Sequence, residues 1–327
     1  MKITIIGGSG FIGSNLMNKL KNGNYEFTNL DKANSPSFPA HTVIGDVREV
    51  ESLKKGVQPS DWMVLLAAEH RDDVTPTSLY YDVNVDGTGN VLKELEAKKI
   101  NKIIFTSSVA IYGLNKDNPD ETHAADPFNH YGKSKWGAEE LIREWYNKDP
   151  ENRTVVIIRP TVVFGPGNRG NVYNLLKQIA SGKFMMIGSG ENKKSMAYVE
   201  NVSSFLKFCM DQQLTGYHVF NYADKPDLSV NELVKQAEIS VGKKMAPFRI
   251  PYAIGYSGGV VLDIAGKILN KKFPISAVRV KKFCATTQFS AGKVEASGFV
   301  SPFTLKEGLD ATVKNILKDD MKHPSHI

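Results

Sequence analysis

The chain lacks three features that would each suggest a class of protein: paired cysteines, long apolar runs and clusters of metal-binding side chains. Its two cysteines, Cys209 and Cys284, lie far apart and form no C-x-x-C pattern, which argues against a disulfide framework and fits a reducing compartment. No stretch approaches the roughly 18 uninterrupted apolar residues of a transmembrane helix, so none is predicted. No group of His, Cys and Asp has metal-ligand spacing, and we predict no metal site.

Charge of one sign is only slightly in excess. Charged residues make up 23% of the chain and apolar residues 41%, which is ordinary for a soluble globular protein, and the net charge is +6. The basic excess fits a plain cytoplasmic enzyme, or one attracted to the phosphates of a substrate or of a membrane surface. No nucleic-acid-binding motif is present, and we predict no nucleic-acid partner.

Short apolar runs alternate with helical segments over the first half of the chain. Strands are predicted at residues 2–6, 25–30, 62–67, 103–107 and 154–159, and helices at 12–22, 86–98 and 131–146. The run at 62–67 is continuously apolar, as expected for a parallel strand that is buried on both faces. The alternation predicts an α/β fold with a doubly wound parallel sheet of the Rossmann type.

A glycine-rich string at residues 7–13, GGSGFIG, lies at the first strand-to-helix turn. Gly7, Gly10 and Gly13 let the backbone turn tightly and approach a pyrophosphate, which then rests on the helix N-terminus. The pattern alone is weak, but here it follows a strand and opens a helix, which is the context that a dinucleotide site requires.

An acid at the end of the second strand bears on which dinucleotide is bound. Asp31 lies close to the spacing at which a carboxylate binds the adenosine ribose, which favours NAD over NADP. Lys32 follows directly and weakens that preference, and Asp31 as a simple turn cap is the alternative. Asp46 and Val47, after a further extended piece, are predicted to flank the adenine.

Three polar side chains form a candidate acid–base set. Tyr131 and Lys135 are four residues apart and share one helix face, and Ser108 ends a strand upstream. Lys135 would lower the pKa of the Tyr131 phenol from about 10 by stabilising the phenolate, and Ser108 would hydrogen-bond the reacting hydroxyl. A Tyr/Lys pair is common on helix surfaces, so its weight here comes from the glycine string upstream.

These features together resemble the extended short-chain dehydrogenase/reductase family over nearly the whole chain. Besides the residues above, the resemblance rests on LAA at 66–68, NVDGT at 84–88, TSS at 106–108, RPT at 159–161 and MAYVENV at 196–202. It implies NAD as cofactor and a homodimer formed through a four-helix bundle from residues 85–98 and 137–146.

The resemblance also implies which residues bind NAD and how the chain divides. The expected NAD contacts are Gly7, Gly10, Phe11, Ile12, Gly13, Asp31, Lys32, Asp46, Val47, Leu66, Ala67, Ala68, Tyr131, Lys135, Pro160 and Val163. Residues 1–165, with a return segment at about 198–228, are expected to form the NAD-binding domain. Residues 166–197 and 229–327 are expected to form a smaller mixed α/β lid that binds the substrate.

Two departures from the family pattern bear on the reaction. Family dehydratases place an Asp-Glu pair directly after the strand-end Ser or Thr, whereas this chain has Val109 and Ala110, so elimination of water is disfavoured. Enzymes of nucleotide sugars usually carry an Arg-Asp pair where this chain has Lys194 and Ser195. Because lysine is a point charge without a bidentate fork, the usual grip on a nucleotide diphosphate is in doubt.

The C-terminal part contains an apolar, glycine-rich segment at residues 250–269, with basic residues at its end and beyond it. This combination suits an element at a membrane interface or the binding of a lipid-linked diphosphate, and packing inside the lid is the equally weighted alternative. Lys194 and Arg279 are expected to meet the diphosphate, and Thr287 to leave room for an N-acetyl group.

The resemblance narrows to bacterial 4-epimerases that act on lipid-linked sugars. It implies interconversion of N-acetylglucosaminyl- and N-acetylgalactosaminyl-diphospho-undecaprenol through a transient 4-keto sugar, for O-antigen assembly. Such an enzyme would be cytoplasmic, with peripheral contact to the inner-membrane surface. The alternatives are a soluble epimerase of a uridine-diphosphate sugar, a sterol-type NAD(P)-dependent dehydrogenase, and a non-catalytic NAD-sensing protein, since fold does not fix function.

Overall fold

The structure is a computed structural model that describes residues 1–71, 74–244, 248–269, 271, 273 and 276–322, apart from the side chains of residues 320 and 322. Its strands are β1 (Lys2–Ile6), β2 (Glu26–Asp31), β3 (Thr42–Ile44), β4 (Trp62–Leu65), β5 (Lys102–Thr106), β6 (Thr154–Pro160), β7 (Val162–Phe164), β8 (Met186–Ile187), β9 (Lys193–Tyr198), β10 (Gly216–Tyr222), β11 (Asp224–Ser229) and β12 (Arg249–Ile250).

Twelve α-helices lie in the described residues. They are α1 (Phe11–Leu20), α2 (Val50–Gly56), α3 (Ser78–Tyr81), α4 (Gly87–Lys98), α5 (His130–Asn147), α6 (Asn171–Ala180), α7 (Val199–Asp211), α8 (Val230–Val241), α9 (Tyr252–Leu269), α10 (Ala277–Cys284), α11 (Gly292–Ala296) and α12 (Leu305–Lys322). A π-helical turn at Asp82–Asp86 joins α3 to α4, and a 3₁₀ turn at Val109–Tyr112 follows β5.

The main sheet is parallel and doubly wound, as the sequence predicts. In the described chain its strand order is β10-β6-β5-β4-β1-β2-β3, with parallel registers throughout. The order reverses between β1 and β4, and such switch points are where open α/β sheets bind ligands beyond the carboxyl ends of the strands. A second sheet has the order β11-β9-β7, and β12 pairs with β8. The predicted fold class is therefore confirmed.

Alternation along the strands explains why both faces of the main sheet are buried. Along β6, Val156 and Ile158 belong to one hydrophobic cluster and Val155 and Ile157 to another. Successive side chains of a strand point to opposite faces, so a run of β-branched residues contributes to two cores at once. The first cluster packs with α1 and α7 through residues such as Leu16, and the second with α4 and α5.

The chain divides into two compact units. Unit 1 comprises Met1–Val163, Ala197–Asp224 and Phe289–Phe303, and unit 2 comprises Phe164–Met196, Lys225–Gln288 and Thr304–Ile327. Unit 1 holds the main sheet, and unit 2 holds α6, α8, α9, α10 and α12. Sequence reasoning places residues 289–303 in the second part, whereas their contacts are with unit 1. The roles of the two units in cofactor and substrate binding stay predictions.

Candidate active site

The glycine turn between β1 and α1 leaves no room for a side chain at Gly7 or at Gly13. A Cβ atom at Gly7, where φ is +87°, would lie 2.4 Å from the Ala67 amide nitrogen, and one at Gly13 would lie 2.4 Å from the Gly8 Cα. A Cβ atom at Gly10 would meet only the Gly7 carbonyl oxygen, at 3.3 Å. The turn is therefore pressed against the segment after β4 and open at Gly10.

The amino end of α1 is suited to bind an anion. Gly10 is its N-cap residue and provides no side-chain cap, and Phe11, Ile12 and Gly13 follow in the first turn. The first N–H groups of a helix have no partner inside the helix, and the helix dipole favours negative charge there. A pyrophosphate at this end would receive those N–H groups.

Asp31 holds the glycine turn in place. One oxygen of its carboxylate accepts the Ser9 N–H at 2.9 Å, and the other accepts the Ala33 N–H at 3.0 Å. Each carboxylate oxygen has a second lone pair, so these bonds leave acceptor capacity for a ribose hydroxyl. Asp31 is thus a turn cap, and its role as ribose ligand stays a prediction, as does that of the exposed Lys32.

The predicted adenine-flanking pair is engaged within the protein. Arg48 donates to both oxygens of Asp46, at 3.0 and 2.7 Å, and this guanidinium holds the pKa of Asp46 below its usual value. Val47 is buried and contacts the site of Gly87, where a Cβ atom would lie 2.6 Å from its side chain. The segment after β3 thus packs against the start of α4. The predicted contact of Asp46 and Val47 with adenine is not tested.

The segment after β4 lies beside the glycine turn. The N–H groups of Leu66 and Ala67 both donate to the Ile6 carbonyl oxygen, at 2.8 and 2.9 Å, and Ala68 follows. Asn84, in the π-helical turn, fixes the next residue: its side chain accepts the Glu69 N–H at 2.8 Å and donates to the Glu69 carbonyl oxygen and to Ser134 Oγ.

Asn84 is a functional candidate that sequence reasoning left without a role. It is 2% exposed and ties the segment after β4 to α5, the helix that carries the Tyr/Lys pair. Single π-helical turns occur often at functional sites. The motif NVDGT was noticeable in the sequence, but only the structure shows which partners its asparagine has.

The acid–base residues come from β5 and from α5, whose contacts bring them together. Ser108 caps the 3₁₀ turn after β5, where its Oγ accepts the Ala110 N–H at 3.1 Å. A Cβ atom at Gly132 would lie 2.6 Å from the Ala110 carbonyl oxygen, so the first turn of α5 lies against this 3₁₀ turn. One turn further along α5, Lys135 Nζ donates to the Thr106 carbonyl oxygen at 2.8 Å.

Tyr131 is half-buried in that first turn, with its ring centroid 6.4 Å from that of Tyr80. Asn129 starts the helix by accepting the Gly132 N–H at 2.8 Å. The predicted residues Ser108, Tyr131 and Lys135 thus lie on elements that meet at the carboxyl end of β5, and their joint role in proton transfer stays a prediction.

Lys135 is buried in surroundings that disfavour its charge. It is 2% exposed, and its Nζ lies 4.7 Å from the Phe105 ring centroid. Burial lowers the pKa of Lys135 from 10.5 to about 7, and Glu139, one helical turn away, opposes this. A lysine with this pKa changes charge in the neutral range, where it can tune a neighbouring phenol.

Glu139 belongs to a buried ionic network that sequence reasoning missed. Arg159, at the end of β6, donates Nε and Nη2 to the two Glu139 oxygens at 3.0 and 2.6 Å, and Nη1 to the Tyr112 hydroxyl at 2.6 Å. Tyr112 then donates to Asn221 at 2.8 Å. The network fixes α5 relative to the turn after Ser108. In the sequence, the spacing of Lys135 and Glu139 at i and i+4 was the signal that Glu139 shares a helix face with the candidate lysine.

Two further predicted cofactor contacts lie where β6 ends. Pro160 is the last residue of β6 and is paired with Tyr222 of β10, and Val163 is partly buried against the first hydrophobic cluster. Both lie at the same end of β6 as Arg159, at the carboxyl edge of the sheet.

These residues fit a dinucleotide. The uncapped end of α1 and the open position at Gly10 suit a pyrophosphate. At the other side of the switch point, Ser107 Oγ is buried and, within the described structure, has no hydrogen-bond partner. A buried hydroxyl without a partner calls for an explanation, and a polar ligand at the end of β5 supplies one.

The predicted substrate residues lie in unit 2, where two of them are neighbours. Lys194 pairs with Thr287 in a parallel bridge, and its Nζ donates to the carbonyl oxygens of Lys282 (2.9 Å) and Ala285. Burial lowers the pKa of Lys194 to about 8. Arg279 lies on α10, where its N–H donates to the cap residue Ser276. Their contact with a substrate is untested.

Lys194 caps the carboxyl end of α10, which is a structural use of its charge. A cation near the last carbonyl groups of a helix is favourable. In the described residues, no group of three or more His, Cys, Asp or Glu side chains is placed to hold a metal ion.

The fold and the candidate site together have the features of a Rossmann-type enzyme that uses a dinucleotide, and the Ser/Tyr/Lys acid–base set stays a prediction. Comparison with known families matches residues 3–223 to the NAD dependent epimerase/dehydratase family. The chain belongs to this family, which confirms NAD as the cofactor and, at the level of the family, the predicted class of enzyme.

Individual relatives agree. The chain is 57% identical over 98% of its length to the N-acetyl-alpha-D-glucosaminyl-diphospho-ditrans,octacis-undecaprenol 4-epimerase of Escherichia coli O157:H7, 97% of which is covered. It is 28% identical over 97% of its length to a UDP-glucose 4-epimerase of Vibrio cholerae, 95% of which is covered. Among solved structures, a UDP-glucuronic acid 4-epimerase of Bacillus cereus with NAD has a TM-score of 0.74 at 19% identity, covering 97% of this chain and 99% of that one.

Proposed function

We propose that the protein is an NAD-dependent 4-epimerase that interconverts N-acetylglucosaminyl- and N-acetylgalactosaminyl-diphospho-undecaprenol for O-antigen assembly. The observation that carries the substrate assignment is the 57% identity over 98% of the chain to the E. coli O157:H7 relative of that name. The residues agree with epimerisation, because Val109 and Ala110 follow Ser108 and neither can act as an acid or base in an elimination.

Each residue of the set has a separate task. When bound, NAD would accept the hydride of C4 and would return it to the opposite face of C4 once the transient 4-keto sugar has turned over in the site. Tyr131 takes the proton of the 4-hydroxyl and later returns it to the oxygen of the transient 4-keto sugar. Ser108 holds that oxygen by a hydrogen bond. Lys135, fixed to the end of β5 through the Thr106 carbonyl, sets the pKa of the Tyr131 phenol and reaches the nicotinamide ribose.

The remaining NAD contacts are proposed to lie in unit 1. Gly10, Phe11, Ile12 and Gly13 receive the pyrophosphate at the amino end of α1, and Asp31 receives the adenosine ribose with its remaining lone pairs. Asp46 and Val47 flank the adenine. Leu66, Ala67, Ala68, Pro160 and Val163 line the cofactor along the strand ends. Unit 1 is then the NAD-binding domain, and unit 2 the substrate-binding lid.

The diphosphate is proposed to bind in unit 2 beside Lys194. An open depression there is lined by Gly188, Ser189, Asn192, Tyr252, Lys281, Cys284 and Ala285. Lys194 donates to the Ala285 carbonyl at its rim. Positive charge from Lys194 and Arg279 would stabilise the diphosphate, and Thr287, paired with Lys194, would lie near the N-acetyl group.

Location and assembly extend the same proposal to the membrane and to a second copy of the chain. The protein acts as a peripheral protein at the cytoplasmic face of the inner membrane, where a polyprenyl-linked substrate resides. It forms a homodimer through α4 and α5, which pack side by side, with Gly89 of α4 near Leu141 and Gly137 of α5 near Val85 in the π-helical turn before α4. Light scattering of the purified chain tests the dimer, and a monomer would contradict it.

A paired assay tests the substrate. Purified protein with NAD receives either N-acetylglucosaminyl-diphospho-undecaprenol or UDP-N-acetylglucosamine, and the released sugar is analysed for the galacto epimer. We expect product from the lipid only. Product from the nucleotide sugar at an equal or greater rate would favour a soluble epimerase, and net accumulation of NADH without epimer would indicate a dehydrogenase.

A further inference from the structure

The helix α9 is attached to unit 2 through glycines. A Cβ atom at Gly255 would lie 2.6 Å from the Ile187 side chain, and one at Gly259 would lie 2.6 Å from the Ala277 amide nitrogen. One at Gly266 would lie 2.7 Å from the Lys271 carbonyl oxygen. Asp263 accepts the Ala277 N–H at 3.0 Å. One narrow, glycine-lined side of α9 thus packs on β8 and on the start of α10.

The opposite side of α9 is apolar and faces outward. Ile254, Val261, Ile264 and Ile268 recur at spacings of seven, three and four residues, which places them on one face of a helix. They are 63%, 63%, 55% and 77% exposed. We call these four side chains the docking face. On the neighbouring α10, Val278 is 61% exposed as well.

Basic residues lie at the C-terminal end of this face and on the neighbouring α10. Between residues 250 and 284 the chain has six lysines and arginines and a single acid, Asp263. That acid is turned inward, where it accepts the Ala277 N–H. Lys267 and Lys271 at the end of α9, and Lys281 on α10, are exposed. An apolar face with a positive rim is complementary to a bilayer that carries anionic lipids.

The length and packing of α9 argue for lying on a bilayer and against crossing it. None of the helices in the described residues is long and apolar enough to span a membrane. A second copy of this chain would bring a like-charged rim against the rim described above, which opposes pairing of two docking faces. Contiguous exposed apolar side chains of this kind mark an interaction site.

We infer that α9 lies in the interface of an anionic bilayer, with the docking face among the acyl chains and the lysines of α9 and α10 at the lipid phosphates. This inference rests on the proposed function, which places the protein at a membrane. It adds the element, α9, that holds unit 2 at the lipid surface. The polyprenyl chain of the substrate would then stay in the bilayer while its sugar enters the site.

Vesicle co-sedimentation of the full chain, without substrate, tests this inference directly. The vesicles are phosphatidylcholine alone or phosphatidylcholine with one third phosphatidylglycerol. We expect binding to the anionic vesicles to exceed binding to the neutral ones at least tenfold. The variant Val261→Ser/Ile264→Ser/Ile268→Ser should lose at least tenfold of the binding to anionic vesicles, and Lys267→Gln/Lys281→Gln should lose the preference for them.

A matched control removes equally exposed apolar side chains elsewhere. Ile239 on α8 is 64% exposed and Val300 is 82% exposed, and neither lies near the docking face in sequence. The variant Ile239→Ser/Val300→Ser should bind vesicles as the unchanged protein does. All variants should keep their thermal unfolding midpoint, because the replaced side chains are exposed. Equal vesicle binding by the docking-face variant and the control would overturn the inference.

A second readout separates this inference from the proposed function. Epimerisation is measured with the lipid substrate either dispersed in detergent or embedded in anionic vesicles. The docking-face variant should keep its rate in detergent and lose at least tenfold in vesicles. Activity on neither preparation by the unchanged protein would refute the proposed function alone. Full activity of the docking-face variant on vesicles would refute only the membrane role of α9. If the unchanged protein did not bind vesicles and the docking-face variant lost self-association, the docking face would instead bind a second copy of the chain.

Discussion

The strand β6 and the helix α9 are both apolar in sequence, yet the first is buried along its whole length and the second is mostly exposed. Every residue of β6 is buried, whereas Gly259 is the one buried residue of α9. The strand lies inside a parallel sheet with a core on each face. The helix contacts its unit through glycines and presents branched side chains outward. Apolar composition therefore indicates an apolar neighbour, and the tertiary structure decides whether that neighbour is the protein itself.

This difference agrees with a division of labour between the two units. Unit 1 places its polar groups at the ends of well-packed strands, and rigid elements of this kind position acid–base groups accurately. Unit 2 exposes apolar and basic side chains that have no use in a core.

The largest contrast should be in catalysis. Tyr131→Phe removes the hydroxyl that transfers the proton, and we expect turnover to fall by about 10²–10⁴-fold, the usual contribution of a general acid–base group. NAD should remain bound. The control Tyr256→Phe removes a hydroxyl from α9 and should leave turnover in detergent unchanged. Epimer formation and NAD content of the purified variants are measured, and retained activity in Tyr131→Phe would refute its role.

The next contrast concerns ion pairs. Glu139→Gln leaves the buried Arg159 without its carboxylate partner, where the two side chains are 0% and 4% exposed. Breaking such a buried pair costs about 3–5 kcal/mol of unfolding free energy. In unit 2, Asp310→Asn breaks the exposed pair with Lys314 and should cost less than about 1 kcal/mol. Urea denaturation measures both, and equal losses would show that the network around Glu139 is not structural.

A direct comparison uses the same substitution in both apolar regions. Ile104 of β5 is 0% exposed and Ile264 of α9 is 55% exposed. Ile104→Ala leaves a cavity in the core and should destabilise the protein by about 2–5 kcal/mol. Ile264→Ala should change stability by less than about 0.5 kcal/mol, because its side chain loses few contacts. A large loss of stability from Ile264→Ala would mean that α9 packs against protein in solution.

The last contrast is a pH dependence from Lys135, whose largest slope per pH unit is smaller than the losses expected for Glu139→Gln and Ile104→Ala. Its pKa is about 7 in the folded protein and near 10.5 when unfolded, so between these values the unfolded chain binds more protons. Stability of the NAD-free protein should therefore rise with pH from about 7 to 10, by at most about 1.4 kcal/mol per pH unit. Lys135→Met should remove this slope. Unfolding free energies measured at pH 7, 8.5 and 10 check this slope. Identical slopes in the unchanged protein and in Lys135→Met would contradict the lowered pKa of Lys135.

Local patterns in the sequence were sufficient for the framework of the site. The glycine string predicts the turn that the structure contains, because Gly7 and Gly13 have no room for a Cβ atom. The spacing of Tyr131 and Lys135 predicts a shared helix face, and α5 contains both. Strands 2–6 and 154–159 were predicted to within one residue, because runs of β-branched side chains depend little on distant partners.

Other features depend on residues that are distant in sequence. Asn84 meets Ser134 across 50 positions, Arg159 meets Glu139 across 20, and Tyr112 meets Asn221 across 109. Nothing local distinguishes these polar residues from solvated ones. The placement of residues 289–303 with unit 1 likewise depends on the folded chain, as contacts such as the Ser290 N–H to the Pro119 carbonyl illustrate.

The sequence by itself thus determined the parallel sheet, the glycine turn and the placing of Tyr131 and Lys135 on one helix, because each depends on short-range periodicity or on steric demands of a few neighbouring residues. Only the tertiary structure decided which charges are buried together and which side of α9 is covered. A residue's burial depends on what packs against it, and for Glu139 and for Ile264 those neighbours, or their absence, are set by the whole fold.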